Sequence, residues 1–393
     1  MSASLATSEM VPSPGLAGVS IRIEQEIDAV AAHWLSLEQS HCILPSQKFA
    51  LVMAWIKANT VPAQNCAFVL ISLDGKPAAL LPLMRKRVYG LRVATWFTGE
   101  HLGAYAPLFD RKLWASVSSA GRMALWQRTF FLVADCDLVH LPDMPLALAQ
   151  DSGLSAALNS RPLADSVHVS RYSDWASCDA DRRDKHRRKV DRQQGNKLAG
   201  RGAVSFDVLR AGPQADAVID TMFAHRAERF KVQGIRDPFR DSAIKDFYKL
   251  AMASAGGVLH VLRLDDAVIA VRYNIEAGGG LYSLITSMHP CPDMQSGSPG
   301  KQNLLRAMQA SFDDGHQFVD MGKGMSEEKR LWCNEKQALM AFTQALTPTG
   351  QLASAGMAAG DRAKGAIKSR PALFDMYRTL RSRVGGWTRN AKT

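Results

Sequence analysis

Leu281-Tyr282-Ser283-Leu284-Ile285-Thr286-Ser287-Met288 is followed closely by Gln295-Ser296-Gly297-Ser298-Pro299-Gly300-Lys301, and then by Leu304, Leu305, Met308 and Phe312. The first stretch reads as the third of three successive strands, at 258–264, 268–276 and 281–288, with turns at Asp265-Asp266 and 278–280. The apolar positions three and four apart that end the quotation predict a helix over 300–312. Between strand and helix lies a Gly/Ser/Pro loop. Pro299 suits a first helical turn, and Ser298 suits the cap before it. A helix N-terminus carries unpaired N–H groups and a partial positive charge, which together suit a pyrophosphate, and Lys301 adds a full charge. An ordinary capped helix accounts for the same letters. The loop is not a Walker A loop, because the GxxxxGK[ST] spacing is missing and Gln302 stands where Ser or Thr would; nor is it GxGxxG.

Upstream, 205–209 predicts a strand. Residues 214–230 predict an amphipathic helix with Ile219, Met222, Phe223 and Phe230 on one side, and 241–253 predicts another helix. Downstream come a strand at 317–321, a short helix at 327–332 and a last strand at 338–346. A first α/β unit precedes all this. It has a strand at 20–24, helices at 27–37 and 49–56, and a hairpin of 66–73 with 77–84 around Asp74-Gly75. A strand at 92–98, a helix at 113–130 and a strand at 138–141 complete it. Between the units, nine cations fall from Arg182 to Arg201, and Gly195 with 200–202 are expected to end any helix there.

The chain of 393 residues has room for two or three domains, and 47% hydrophobic with 22% charged residues is the composition of a globular protein. Apolar runs such as 78–84 stop far short of a membrane span. Residues 1–17 carry no Lys or Arg and no apolar core, unlike a secretory signal, so the expected compartment is the cytoplasm. Six cysteines form no CxxC pair, which argues against a zinc site or disulfide framework and for plain buried thiols. No metal is expected.

The element order resembles the GNAT acetyltransferase fold. Ser298-Pro299-Gly300-x-x-Leu304-Leu305 resembles the start of its cofactor-binding helix. Asp320-Met321-Gly322-Lys323-Gly324 with Glu328-Lys329-Arg330-Leu331-Trp332 resembles a downstream pattern of the BioF2-like, CelD/BcsL-type branch, which is related to the FemAB aminoacyl transferases. Phe223-x-His225-x-x-x-Arg229-Phe230 and the basic stretch 185–192 are similar to that branch too. The first unit is similar more faintly, through Leu80-Leu81-Pro82-Leu83 and Ala104-Tyr105-Ala106-Pro107-Leu108. The resemblance implies an α/β fold of two tandem GNAT-like domains, each a mixed central sheet flanked by helices. The division is 1–18 a disordered leader, 19–178 a first domain without cofactor, 179–203 a basic connection, 204–350 the acetyltransferase domain and 351–393 a basic tail.

By the same resemblance, acetyl-CoA or another acyl-CoA is the co-substrate. It lies between the strands at 281–288 and 317–321, with Ile285, Thr286, Ser287 and Met288 near the thioester and Gly297, Ser298, Gly300 and Lys301 on the pyrophosphate. His225 and Glu228, three apart on one helix, and Glu328 are candidate bases; a solvated helix face and a dipole-complementing carboxylate are the plainer readings. GNAT enzymes often place a Tyr acid on the helix after the fifth strand. Here Trp332 and Cys333 occupy it, leaving Tyr282 or no dedicated acid. Arg229, Lys329, Trp332, His101 and Tyr105 are candidate acceptor contacts.

The first reading is acyl transfer to an amine or hydroxyl of a sugar, polysaccharide or envelope precursor. A FemAB-like transferase using aminoacyl-tRNA is the second, and the net charge of +11 would serve it. A catalytically silent accessory protein of exopolysaccharide synthesis is the third. The basic segments, including Arg378, Arg381, Arg383 and Trp387, offer contact with an anionic membrane surface, peripheral to the inner membrane. They lack interleaved aromatics and any nucleic-acid-binding motif, so nucleic acid is expected only as tRNA under the second reading.

Overall fold

The computed structural model describes residues 7–10, 18–41, 43–99, 101–133 and 135–368. In chain order the elements are β1 (Thr7–Met10), β2 (Val19–Glu24), α1 (Ala31–His41), α2 (Phe49–Asn59), β3 (Cys66–Leu73), β4 (Lys76–Val88), β5 (Leu91–Thr95), β6 (Leu108–Phe109), α3 (Arg111–Ser116), α4 (Ser119–Leu132), β7 (Leu138–Pro145), α5 (Leu146–Ser152), α6 (Leu154–Ala157) and β8 (Asn159–Arg171). Then follow α7 (Trp175–Arg182), α8 (Lys185–Ala199), β9 (Val204–Leu209), α9 (Pro213–Val232), α10 (Ser242–Ser254), β10 (Gly257–Leu264), β11 (Ala267–Ala277), β12 (Gly280–Met288), α11 (Pro299–Asp313), β13 (Phe318–Lys323), α12 (Glu327–Trp332), β14 (Glu335–Ala345) and α13 (Pro348–Lys368).

The chain divides into two compact units. The first holds Met1–Val167 with Gln337–Gly365, the second His168–Lys336 with Ala366–Thr393. The expected boundaries differ in one respect that matters. The last strand, β14, was assigned to the acetyltransferase domain, but it belongs to the first unit, where it pairs antiparallel with β7 from Leu339↔Pro145 to Ala345↔Leu138. In the expected leader, Thr7–Met10 is a strand paired with β2. The basic residues 378–383 and Trp387 lie outside the described residues.

In the first unit β2, β3, β4 and β5 pair antiparallel in sequence, and β5 pairs parallel with β7. β3 is buried at every position and forms the sheet's centre, while Trp34, Trp114, Trp126 and Phe68 fill the core. In the second unit β9, β10, β11 and β12 pair antiparallel in sequence, and β12 pairs parallel with β13. Two helices precede each meander and at least one helix carries each parallel crossover. The same order therefore occurs twice, and the expected tandem α/β fold of mixed sheets flanked by helices is the one observed.

One face of the second sheet packs on α9 and α10 through Phe223, Phe247, Tyr248 and Tyr273, whose hydroxyl donates to Tyr248 O at 2.8 Å. The other packs on α11 through Leu304, Met308 and Phe312. The basic stretch is not broken at Gly195. α8 runs through it and ends at Gly200, because a side chain at Gly195 would meet Gln302 Oε1 at 3.1 Å and the glycine lets α8 lie against α11.

Candidate active site

β12 and β13 pair only at Gly280↔Phe318, Leu281↔Val319 and Tyr282↔Asp320. Beyond that point the two strands part. On its other edge β12 stays paired with β11, with an irregularity between Tyr273 and Asn274 that leaves Leu284 without an opposite residue. His289 N–H donates to Ile269 O at 2.9 Å, so by the alternation of an antiparallel ladder the amides of Thr286 and Met288 point away from β11, towards the side that β13 has left. Thr286 O faces the same way and accepts from Arg226 Nη1 at 2.6 Å.

A cavity of about 460 Å³ surrounds this stretch. Its walls are Ser283, Leu284, Thr286, Ser287 and Met288 of β12, Arg272 of β11, Gly300 and Asn303 of α11, Arg226 and Arg229 of α9, and residues 326–329 at the start of α12. Arg272 is 5% exposed. Its Nη2 donates to Glu328 Oε2 at 3.1 Å and reaches Gly300 O at 3.5 Å. A second cavity of about 440 Å³ lies between α8, α11 and α12, lined by Arg187, Lys301, Leu304 and Trp332 among others, and shares Glu327 and Glu328 with the first.

The expected donor residues are thus divided. Thr286, Ser287, Met288 and Gly300 line the first cavity, and Lys301 lines the second, 3.6 Å from Glu327. Ile285 is buried and lines neither. Ser298 starts α11 in a left-handed conformation (φ 55°) and makes no side-chain cap, contrary to its expected role. Gly297 turns its α-carbon to α8: a Cβ would fall 2.7 Å from Gln194 O. The first-turn amides of Gly300 and Lys301 are left over by the helical ladder, since the bonding begins with Gln302 N–H to Ser298 O at 3.0 Å.

Of the expected catalytic groups, Glu328 is in the first cavity. His225 is 8% exposed and packs edge-on against His289 at 4.9 Å; burial, then the charge of His289, lowers its pKa to about 4. Glu228 lies outside both cavities and pairs with Lys231 at 3.5 Å. Tyr282 is buried edge-on against Phe318 and also lines neither.

Among the expected acceptor contacts, Arg229 lines the first cavity. Lys329 lines it too, and its ammonium donates to the carbonyls of Gly322 (3.0 Å), Lys323 (2.7 Å) and Gly324 (2.9 Å), so its charge also ties down the β13–α12 loop. Trp332 is buried between Trp175, stacked at 6.1 Å, and the Arg187 guanidinium, 4.7 Å above its ring. His101 and Tyr105 belong to the first unit. His101 packs on Trp55 at 5.5 Å, and the Tyr105 hydroxyl donates to Gly99 O at 2.5 Å, bracing its own loop.

Arg272, Arg226, Asn303 and Asp320 escaped the sequence reading as site residues. Arg272 had a signal, a charge inside the apolar strand Val268-Ile269-Ala270-Val271-Arg272-Tyr273, where burial demands a partner. The basic stretch is neutralised only in part, beginning with Arg182 on Asp181 at 2.8 Å. Arg183 bridges Asp179 (2.5 Å) and Asp191 (2.9 Å), and Arg188 reaches Asp179 at 2.9 Å. The thiols of Cys178 and Cys333 are raised by burial to about 11 and about 12, which removes them as nucleophiles at neutral pH. Among the described residues no group of three His, Cys, Asp or Glu is arranged to hold a metal ion, and no helix is long and apolar enough to cross a membrane.

Residues 185–330 match the acetyltransferase (GNAT) domain family. The chain therefore carries an acyltransferase domain, the first cavity lies wholly within the matched residues, and the second lies on them and on their flanks at 181–184 and 331–332. No curated protein matches the chain. Among solved structures, the C-terminal DUF2156 domain assigned to a lysylphosphatidylglycerol synthetase of Agrobacterium fabrum superposes with a TM-score of 0.54 at 12% identity, over 86% of this chain and 96% of that one. FemX gives 0.53 at 11% identity, over 76% and 92%. A Bacteroides thetaiotaomicron protein of unknown function gives 0.52 at 11% identity, over 82% and 99%. At these identities the likeness is one of fold.

Proposed function

We propose that the GNAT domain transfers an acyl group, acetyl in the first instance, from a coenzyme A thioester to an amine or hydroxyl of a sugar, polysaccharide or envelope precursor. The parting of β12 and β13 carries the reading. It leaves the amides of Thr286 and Met288 facing a cavity, where preformed donors stabilise charge developing on a carbonyl oxygen without reorganisation. Gly300 and Lys301, with two leftover helical amides, suit the diphosphate. The thioester would supply an activated acyl group and a thiolate leaving group. Glu328 would orient the acceptor and take its proton. Tyr282 is not in reach of the cavity, which favours loss of the leaving thiolate without a dedicated acid. We also assign the chain to the BioF2-like branch, on the motifs quoted above, and to the cytoplasm, with its basic segments peripheral to an anionic inner-membrane surface.

One observation favours a different donor. α8 covers Gly297, and Gln302 Nε2 donates to Asp191 O of that helix at 2.8 Å, so one side of the diphosphate loop is taken by protein. Aminoacyl-tRNA, the donor of the FemAB relatives, needs no such loop. Calorimetric titration with acetyl-CoA tests the two, beside Gly300→Glu, whose Cβ would point at Met288 Sδ 2.5 Å away and whose charge would enter the cavity. Micromolar binding by the wild type, weakened at least tenfold in the variant, is expected. No binding at millimolar acetyl-CoA, with tight and steeply salt-dependent binding of tRNA, would replace the first reading by the second.

A further inference from the structure

The second cavity, of about 440 Å³, meets the first at Glu327 and Glu328, which line both. The fixed charges in its wall are paired, with two exceptions. Arg182 holds Asp181 at 2.8 Å, Arg183 holds Asp191 at 2.9 Å, Lys301 stands 3.6 Å from Glu327, and Arg272 holds Glu328 at 3.1 Å. Arg187 and Asp184 have no ion pair among the described residues. The Asp184 carboxylate caps α8 by accepting from Arg187 N–H at 2.7 Å. The Arg187 guanidinium stands over the Trp332 ring and makes a single long hydrogen bond, from Nη1 to Arg182 O at 3.4 Å. Its Nε and Nη2 are unpartnered and are not sealed from solvent. Burial lowers its pKa, as expected of a half-buried charge short of partners. A guanidinium backed by an aromatic ring offers a planar fork to an oxyanion. The same wall carries Leu304, Leu305 and Leu331, the last 37% exposed although apolar. This combination matches neither a neutral sugar, which has no charge for Arg187, nor a phosphate dianion, which the surrounding carboxylates repel.

We infer that the second cavity is the acceptor's, and that it takes a free α-amino acid with an apolar side chain. The carboxylate goes to the open fork of Arg187. The ammonium goes to Glu327 and Glu328, and the side chain to Leu304, Leu305 and Leu331. Because Glu328 lines both cavities, an amine held by it stands next to the thioester of the first, and the same carboxylate is placed to take the amine's proton. The volume of about 440 Å³ is that of a small-molecule site. The inference rests on the acyltransferase reading and narrows the amine named there to the α-amine of an amino acid; recognition of the amino acid does not depend on which donor is used.

The test is calorimetry of the full chain, with and without coenzyme A, against leucine and phenylalanine. Each is set beside its amide, which lacks the carboxylate, and beside glycine, which lacks the apolar side chain; acetyl-CoA is titrated separately. At least one of the two amino acids is expected to bind roughly ten times more tightly than its amide and than glycine. Arg187→Met, which keeps an apolar chain for Trp332, is expected to abolish the preference over the amide. Leu331→Ala, at the exposed rim, is expected to weaken the amino acid several-fold with an unchanged melting temperature. If neither amino acid binds, if the amides bind as well, if Arg187→Met keeps the preference, or if Leu331→Ala changes nothing, the inference falls. Acetyl-CoA binding that is lost in Arg187→Met, without amino-acid binding, would give the cavity to the donor's nucleotide and also overturn it. Amino-acid binding without acetyl-CoA binding would keep the acceptor site and remove the acetyl-CoA donor instead.

Discussion

Asp320 closes the fork where β12 and β13 part. It is 7% exposed, and its Oδ1 accepts from Gly322 N–H at 2.6 Å. Burial raises its pKa to about 7, against the opposing pull of that hydrogen bond and of the Lys329 charge. An acid raised in the folded state keeps a proton that the unfolded chain, with a pKa of about 4, has already released. Its contribution to stability is therefore greatest below about pH 4, declines as pH rises to about 7, and stays at its lowest above that. Asp320→Asn keeps an acceptor for Gly322 and removes the titration. The variant is expected to gain roughly 2 kcal/mol relative to wild type on going from pH 5 to pH 8. Urea unfolding at both values measures this; an equal difference at the two would show that the carboxyl is not raised. Asp320 and Arg272 were both visible in the sequence as single charges inside apolar strands. Their roles were not, because a strand's period says which face a residue takes and not what stands opposite.

At the scale of elements, the strand–loop–helix stretch from Leu281 to Phe312 was legible, because local rules govern it: strand alternation, proline at the helix start, helical spacing after it. What failed was the reading of glycine. Gly195 looked like a helix stop, yet it stays within α8, where the approach of Gln302 repays the helix for a poor former. Gly297 looked like a phosphate-loop glycine, yet its φ of 81° and the backbone of α8 at 2.7 Å from a would-be Cβ make it a contact point between a loop and a helix. Gly297→Ala meets both objections at once, a left-handed conformation and a clash with Gln194 O that backbone cannot easily relieve. A cost of roughly 2 kcal/mol is expected, with faster amide exchange concentrated in α8. If the loss is below about 0.5 kcal/mol, or exchange in α8 is unchanged, the packing of α8 on this loop is not what holds the glycine there.

For the whole molecule, the repeated order of strands and helices was readable and the fate of the final strand was not. Periodicity marked 338–346 as a strand, but nothing local in a strand names its partner. The chain divides so that the first unit, begun at residue 7, is completed only by Gln337–Gly365, after the entire acetyltransferase segment. In β14, Leu339, Ala341, Phe342 and Thr343 are all at most 1% exposed, and the strand covers the edge of β7 from Leu138 to Pro145. Burial of Phe342 and Leu339 alone is worth several kcal/mol, comparable with the whole stability of a domain. A chain ended after Lys336 would keep every residue of the GNAT match and both cavities, yet would leave β7 as a bare, apolar edge, the kind of surface that pairs with other chains. That truncated protein is expected to aggregate, or to lose the cooperative unfolding of the first unit, where the full-length protein does neither. Size-exclusion chromatography and thermal unfolding decide it. A soluble, monomeric 1–336 protein with an unchanged transition would mean that the first unit closes its sheet without β14, and that the boundary drawn from the sequence at the end of the acetyltransferase domain describes the folding units better than the contacts do.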